Sequence, residues 1–138
     1  MRCWDALDMI LSKAADRKFE SIKMNENFEK IQHDFVTTDI QREFLEDWAD
    51  KWMSRGLLSR YIDVEGGELN YVRFEIGRNG IFHCILYCSN IFEISEENAE
   101  NIKDQIEWKL DDIENEIVKY EINNDEIEDY NICIVKDD

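Results

Sequence analysis

An almost unbroken run of apolar residues, Ile-Phe-His-Cys-Ile-Leu-Tyr-Cys, occupies positions 81–88 and leaves the chain few ways to fold. Successive side chains of a β-strand point to opposite faces, so this run would place apolar groups on both faces of a sheet. That pattern is typical of a central strand with protein on either side, and not of an edge strand with one face in water. We therefore expect residues 81–88 to form a central, buried strand.

Two dipeptides close to this strand are typical of tight hairpin turns. Asn79-Gly80 separates the strand from residues 68–77, and Gly66-Gly67 separates that segment from residues 61–65. Both dipeptides favour the left-handed backbone that two-residue hairpin loops require. They predict a three-stranded antiparallel meander. A two-residue turn at Asn79-Gly80 predicts the pairs Phe74 with Ile85, Ile76 with His83, Arg73 with Leu86 and Glu75 with Cys84.

Two helical segments are predicted ahead of the meander. Apolar residues recur at spacings of three and four within residues 4–14 and again within residues 28–35. Both stretches belong to the first segment. The second segment lies between Thr38 and Gly56 and is better defined, because Thr38 and Gln41 form a capping-box pair and Gly56 suits the left-handed residue that ends a helix. The tryptophans one turn apart within it, Trp48 and Trp52, are expected in the core.

A long amphipathic helix is predicted after the meander. Ser95 is suited to cap it, and it is expected to run through about Tyr120. Residues 130–135 then predict a last strand that returns to the sheet. The apolar face of the long helix consists of Ala99, Ile102, Ile106, Leu110, Ile113 and Ile117, at spacings of three and four.

Together these elements predict an α+β fold in the order ααβββαβ. A mainly antiparallel sheet would pack against the long helix and the two N-terminal helical segments. The 138 residues contain no proline and no linker-like or repeated segment. Residues 1–138 are therefore expected to form a single domain.

The net charge argues against one class of function. The chain carries 33 Asp and Glu against 16 Lys and Arg, a net charge of −17, so it is not expected to gain affinity by neutralising phosphates. Direct binding of nucleic acid is therefore not expected. No stretch resembles a signal peptide or approaches the roughly 18 apolar residues of a membrane span. We expect a cytoplasmic protein that does not bind membranes.

The residues best suited to metal binding or catalysis do not form a recognisable site. His83, Cys84 and Cys88 are the nearest group of soft ligands, but on a strand the two cysteines lie roughly 13 Å apart and the histidine points the other way. The second histidine, His33, stands outside any nucleophile motif. We expect no metal, no cofactor and no enzymatic activity, and interpret the cysteines as buried apolar residues.

Most of the net charge lies in the last third of the chain, where residues 93–138 hold 17 acids and 4 bases, a balance of −13. On a helical wheel, one side of the long helix carries carboxylates at regular intervals. Trp108 falls beside them, almost opposite the apolar face. These carboxylates, here called the acidic stripe, are Glu100, Asp104, Glu107, Asp111 and Glu114.

Two interpretations of the acidic stripe are open. Charged outer faces are ordinary on amphipathic helices, so the stripe can be a solvated surface. However, like charges three or four residues apart destabilise a helix by about 0.2–0.5 kcal/mol per pair, and a cationic partner would explain that cost. Trp108 likewise either contacts another part of the chain or anchors a partner.

The spacing of the acidic stripe favours a partner that normally binds nucleic acid. The acids recur about every 3.5 residues, which places them roughly 5 Å apart along the helix axis. Phosphates of nucleic acid follow one another at roughly 6–7 Å. The stripe would therefore fit a basic groove built for nucleic acid.

In size, charge layout and acidic helix, the chain resembles in strategy the small acidic inhibitors that phages and bacteria direct against nucleic-acid-handling enzymes. These include anti-CRISPR proteins, DNA-mimic anti-restriction proteins and the immunity proteins of nuclease toxins. The resemblance implies a non-enzymatic inhibitor of a basic nucleic-acid-binding protein, such as a nuclease, a CRISPR effector or a toxin. The alternatives are an acidic assembly or adaptor subunit that binds through an apolar surface, and a hydrolase with an unrecognised carboxylate site.

Overall fold

The computed structural model describes residues 28–91 and 93–137. A three-stranded sheet with helices before and after its strands confirms the α+β class. Residues 28–31 are helical, whereas the helix predicted within residues 4–14 lies outside the described part of the chain. The elements are α1 (Asp39–Arg55), α2 (Ser59–Asp63), β1 (Glu68–Ile76), β2 (Ile81–Ser89), α3 (Glu96–Asp112), α4 (Glu114–Ile117) and β3 (Asp129–Lys136).

The apolar run forms β2, which lies at the centre of the sheet between β1 and β3, as predicted. Phe82, Ile85 and Leu86 are fully buried, so both faces of this strand are covered. β1 pairs with β2 antiparallel, but β3 pairs with β2 parallel. The prediction of a mainly antiparallel sheet is therefore wrong. The physical reason is the helical connection between β2 and β3, which returns the chain to the end of the sheet from which β2 starts.

The predicted first strand of the meander, residues 61–65, is wrong. Residues 59–63 form the short helix α2 instead. Leu58 and Ile62 lie four residues apart and are both buried, which is the spacing of a helical face. Gly66 has φ 88°, and the amide of Gly67 donates to the carbonyl of Ile62, so the two glycines end this helix and do not form a hairpin turn.

The predicted register between β1 and β2 is also wrong, by one residue. Three residues, Arg78–Gly80, separate the strands, because the amide of Gly77 donates to the carbonyl of Ile81. A shift of one residue moves side chains to the opposite face of the partner strand. Glu75 is therefore paired with His83, and Phe74 with Cys84, where the two-residue turn predicted Cys84 and Ile85.

One face of the sheet carries the main core, to which Phe74, Phe82 and Ile132 contribute. The ring centroids of Trp48 and Trp52 in α1 lie 4.8 and 5.6 Å from that of Phe74. Both tryptophans are buried, as predicted. The predicted capping box at Thr38 and Gln41 and the left-handed Gly56 begin and end α1.

The long helix begins as predicted and ends earlier. The Ser95 hydroxyl accepts a hydrogen bond from the Asn98 amide at 3.2 Å, and Ile102, Ile106 and Leu110 are fully buried in the core. At Ile113 the backbone leaves the helical region, with φ −112° and ψ 23°. Its amide donates to the carbonyl three residues back, a tightening that is common where helices end. The helical path to Tyr120 is therefore made of α3, α4 and the turn Val118–Tyr120.

Candidate functional site

The acidic stripe lies on the side of α3 that faces water. The opposite side of the helix is held in the core by Ile102, Ile106 and Leu110. Because that packing fixes the rotation of α3, the outward direction of the carboxylates is set by the fold. All five stripe residues are exposed: Glu100, Asp104, Glu107, Asp111 and Glu114.

The stripe is straight only as far as α3 extends. Glu100, Asp104, Glu107 and Asp111 belong to one regular helix, whereas Glu114 begins α4 after the break at Ile113. The constant spacing that the sequence predicts therefore applies to the first four carboxylates.

Few basic groups neutralise the stripe. Lys103 lies 3.7 Å from Glu100, and its side chain is largely buried. Asp104, Glu107 and Glu114 form no hydrogen bond or ion pair with other described residues. These three carboxylates are exposed and have free acceptor oxygens, which a cationic partner could use.

The fold extends the acidic surface beyond the helix to the loop that precedes β3. The Asn124 amide donates to the Asp111 carboxylate, and the Glu128 amide donates to the carbonyl of Gly80 at 2.7 Å. These bonds tie the loop to α3 and to the β1–β2 turn. The exposed acids of this loop, here called the acidic loop, are Glu121, Asp125, Glu126 and Glu128.

The hydroxyl of Tyr130, near the start of β3, lies within the electrostatic influence of two stripe carboxylates of α3. Burial raises the pKa of its hydroxyl, and the nearby charges of Glu107 and Asp111 raise it further. The tyrosine ring packs against Phe82 with centroids 5.8 Å apart. The stripe therefore lies close to a tyrosine that packs against the core.

Trp108 is exposed beside the acidic stripe, with 62% of its surface accessible to water. Its position on the helical wheel predicted an outward direction, and the structure confirms it. This exposure favours the interpretation that Trp108 is available to a partner over the interpretation that it packs against another element. A large aromatic group with so much exposed surface is a typical feature of binding sites.

A second polar cluster lies on the other face of the sheet, around the fully buried Glu75. Its carboxylate accepts hydrogen bonds from Thr37, Arg42 and Arg73. Burial raises the pKa of Glu75, but these hydrogen bonds outweigh burial and hold the pKa below its ordinary value. Both carboxylate oxygens are occupied, so we assign Glu75 a structural role.

His83 lies next to this cluster and is also buried. Its Nδ1 accepts a hydrogen bond from the Asn131 side chain at 3.2 Å. Burial lowers the pKa of His83 to about 4, although the charges of Asp34 and Glu75 act in the opposite direction. The imidazole is therefore neutral at pH 7 and serves as a packed core residue.

The described cysteines are free and buried, as the sequence predicts. Burial raises the pKa of Cys133 to about 12, and burial together with Asp137 raises that of Cys88 to about 12. A nucleophilic cysteine needs the opposite shift, because the thiolate is the reactive form. These thiols remain protonated at neutral pH, and Cys3 lies outside the described residues.

Neither a metal cluster nor a membrane-spanning helix is present in the described part of the chain. Across residues 28–91 and 93–137, no three His, Cys, Asp or Glu side chains are grouped so that they could hold a metal ion. In the same part of the chain, no helix is both long enough and apolar enough to span a bilayer.

Comparisons with known proteins add no family to these observations. No protein-family model, no curated protein and no solved structure matches the chain.

Proposed function

We propose that this protein is a non-enzymatic inhibitor that binds a basic nucleic-acid-processing protein through the acidic stripe and the adjoining acidic loop. The observation that carries the proposal is a row of exposed, largely unpaired carboxylates on a helix whose other side is fixed in the core. A surface of this kind attracts cationic proteins over a distance and accelerates their association.

The repulsion between neighbouring carboxylates of the stripe supports a partner that carries positive charge. Glu100 and Asp104, like Glu107 and Asp111, are like charges four residues apart in α3, and each such pair destabilises the helix by about 0.2–0.5 kcal/mol. The positive charges of a partner would remove this repulsion in the complex. Trp108 would add an apolar anchor, which exposed ion pairs alone do not provide.

The dimensions of the stripe support a partner that normally holds nucleic acid. Within α3 the carboxylates follow one another at roughly 5 Å along the axis, compared with roughly 6–7 Å between phosphates. The acidic loop places further carboxylates beside this row, through the contact between Asn124 and Asp111. A basic groove that binds a phosphate backbone would meet a row of negative charges at similar intervals here.

The second candidate is an assembly or adaptor subunit that binds through apolar contacts. The observation in its favour is a set of exposed apolar side chains other than Trp108. The most exposed of them are Val64, at 75%, and Val118, at 66%. Contacts of this kind depend little on ionic strength, which separates the two candidates experimentally.

The experiment uses the full chain, immobilised and exposed to a lysate of the cells from which it comes. We expect it to retain a protein that also binds duplex DNA or RNA in the absence of the chain. The association rate constant with that purified protein should fall by about an order of magnitude or more between about 0.05 and 0.5 M salt. A retained protein without affinity for nucleic acid, or a rate that does not change with salt, would favour the assembly subunit.

A further inference from the structure

Trp108 stands near the middle of the exposed side of α3. At about 100° per residue, it points almost directly away from the buried Ile106. Asp104 precedes it by four residues and Asp112 follows it by four, and both are exposed. Residues at this spacing are neighbours on a helix surface. The indole ring is therefore bordered by a carboxylate on each side along the helix axis.

The Trp108 ring already has a cation next to it in the free protein. Nζ of Lys109 lies 5.0 Å from the ring centroid, within the distance over which cation–π attraction operates. This observation is independent of the acidity of the helix, because it concerns the face of the aromatic ring. It shows that a positive group can lie against this ring.

We propose that Trp108, Asp104 and Asp112 form a site for an arginine side chain of the partner, and that this arginine displaces Lys109 from the ring. The inference rests on the proposed function, since it names the group by which the basic partner is held. A guanidinium is planar, stacks on aromatic rings and donates two parallel hydrogen bonds to a carboxylate. A lysine ammonium is more strongly hydrated and lacks this geometry.

Other occupants fit the site less well. An anionic group would be repelled by Asp104 and Asp112, which have no basic partner among the described residues. A second copy of the chain would bring a net charge of −17 against an equal charge. An uncharged apolar group would cover the ring but leave the two carboxylates without a partner.

The test compares labelled peptides of nine arginines and of nine lysines, with dissociation constants measured by fluorescence anisotropy at one ionic strength. We expect the wild-type chain to prefer the arginine peptide, and Trp108→Leu to reduce that preference by about two- to fivefold, the range of an exposed cation–π contact. Binding of the lysine peptide should change little. Lys109→Gln should strengthen arginine-peptide binding, because the competing cation is removed. An unchanged preference in Trp108→Leu would overturn the inference.

Two triple variants separate this inference from the proposed function. One replaces Asp104, Glu107 and Glu114 by lysine. The matched control replaces the exposed α1 acids Glu43, Glu46 and Asp50 by lysine, with the same change in net charge. Equal peptide binding by the two triple variants would contradict the proposed function itself. Loss of binding in the stripe variant alone, together with an unchanged arginine preference in Trp108→Leu, would contradict only the arginine site.

Discussion

Replacing Asp104, Glu107 and Glu114 together by lysine is expected to weaken binding to the captured partner by about 100-fold or more. Each substitution removes an attraction and places like charges opposite one another, which costs more than the loss of the attraction alone. The fold should remain intact, because these side chains point away from the core and form no hydrogen bond or ion pair with other described residues. Calorimetry of binding, with circular dichroism of each variant, measures both effects.

The control for this prediction is the triple lysine variant at Glu43, Glu46 and Asp50. These residues are exposed on α1 and form no ion pair with other described residues. We expect this variant to bind the partner within a few-fold of the wild type. If both triple variants bind equally, the stripe is only a solvated helix face and the proposed function is wrong.

Glu75→Gln is expected to produce the largest loss of stability among single substitutions of charged residues. The substitution leaves Arg42 and Arg73 without their carboxylate at a position that is fully buried. Breaking a buried ion pair from one side costs about 3–5 kcal/mol. We expect about 3 kcal/mol, because the two arginine side chains are 38% and 34% exposed and keep part of their hydration. Urea denaturation of both proteins gives the difference.

The stability difference between the wild type and Glu75→Gln depends on pH in a defined direction. The pKa of Glu75 is held below its ordinary value of 4.5 in the folded state. The stabilisation by its charged form is therefore complete above about pH 5 and disappears as the pH falls through the lowered pKa. The difference in unfolding free energy between wild type and Glu75→Gln should shrink over that acidic range. For comparison, Asp47→Asn removes an exposed pair with Lys51 and should cost no more than about 0.5 kcal/mol at any pH.

The sequence predicted those parts of the fold that depend on local patterns. The apolar run of β2, the capping box at Thr38 and the Ser95 cap each signal their element through a few neighbouring residues. Trp48 and Trp52 were placed in the core for the same reason. Such signals survive in the fold because tertiary packing acts in the same direction as the local preference.

The wrong predictions concern segments whose local sequence is compatible with two different structures. Residues 61–65 contain β-branched side chains followed by two glycines, a pattern that also suits a strand and hairpin. The helix prevails because it buries Leu58 and Ile62 together and leaves Val64 in water, at 75% exposure. Likewise, Asn79-Gly80 is compatible with loops of two or three residues, and only the complete sheet decides the register.

The sequence predicted on which side of the long helix the candidate site lies, but not how far the acidic surface extends beyond that helix. Helical periodicity alone placed the stripe and Trp108 outside the core, since that conclusion requires only the apolar face of one helix. The acidic loop joins the surface through the contact between Asn124 and Asp111, which depends on the return of the chain to β3. The Glu75 cluster was also missed, because its partners Thr37 and Arg42 are 38 and 33 residues away in the chain.

Displacement of nucleic acid from the partner is a direct test of whether the acidic stripe occupies the groove for nucleic acid. The captured partner is first bound to a fluorescent duplex, and the chain is then added in increasing amounts while anisotropy is recorded. If the stripe occupies the groove for nucleic acid, the wild type and the α1 control should release the duplex at stoichiometric concentrations, whereas the stripe variant should not. A partner that binds the chain and keeps its duplex, or release by the stripe variant at the same concentrations, would show that the stripe does not occupy this groove.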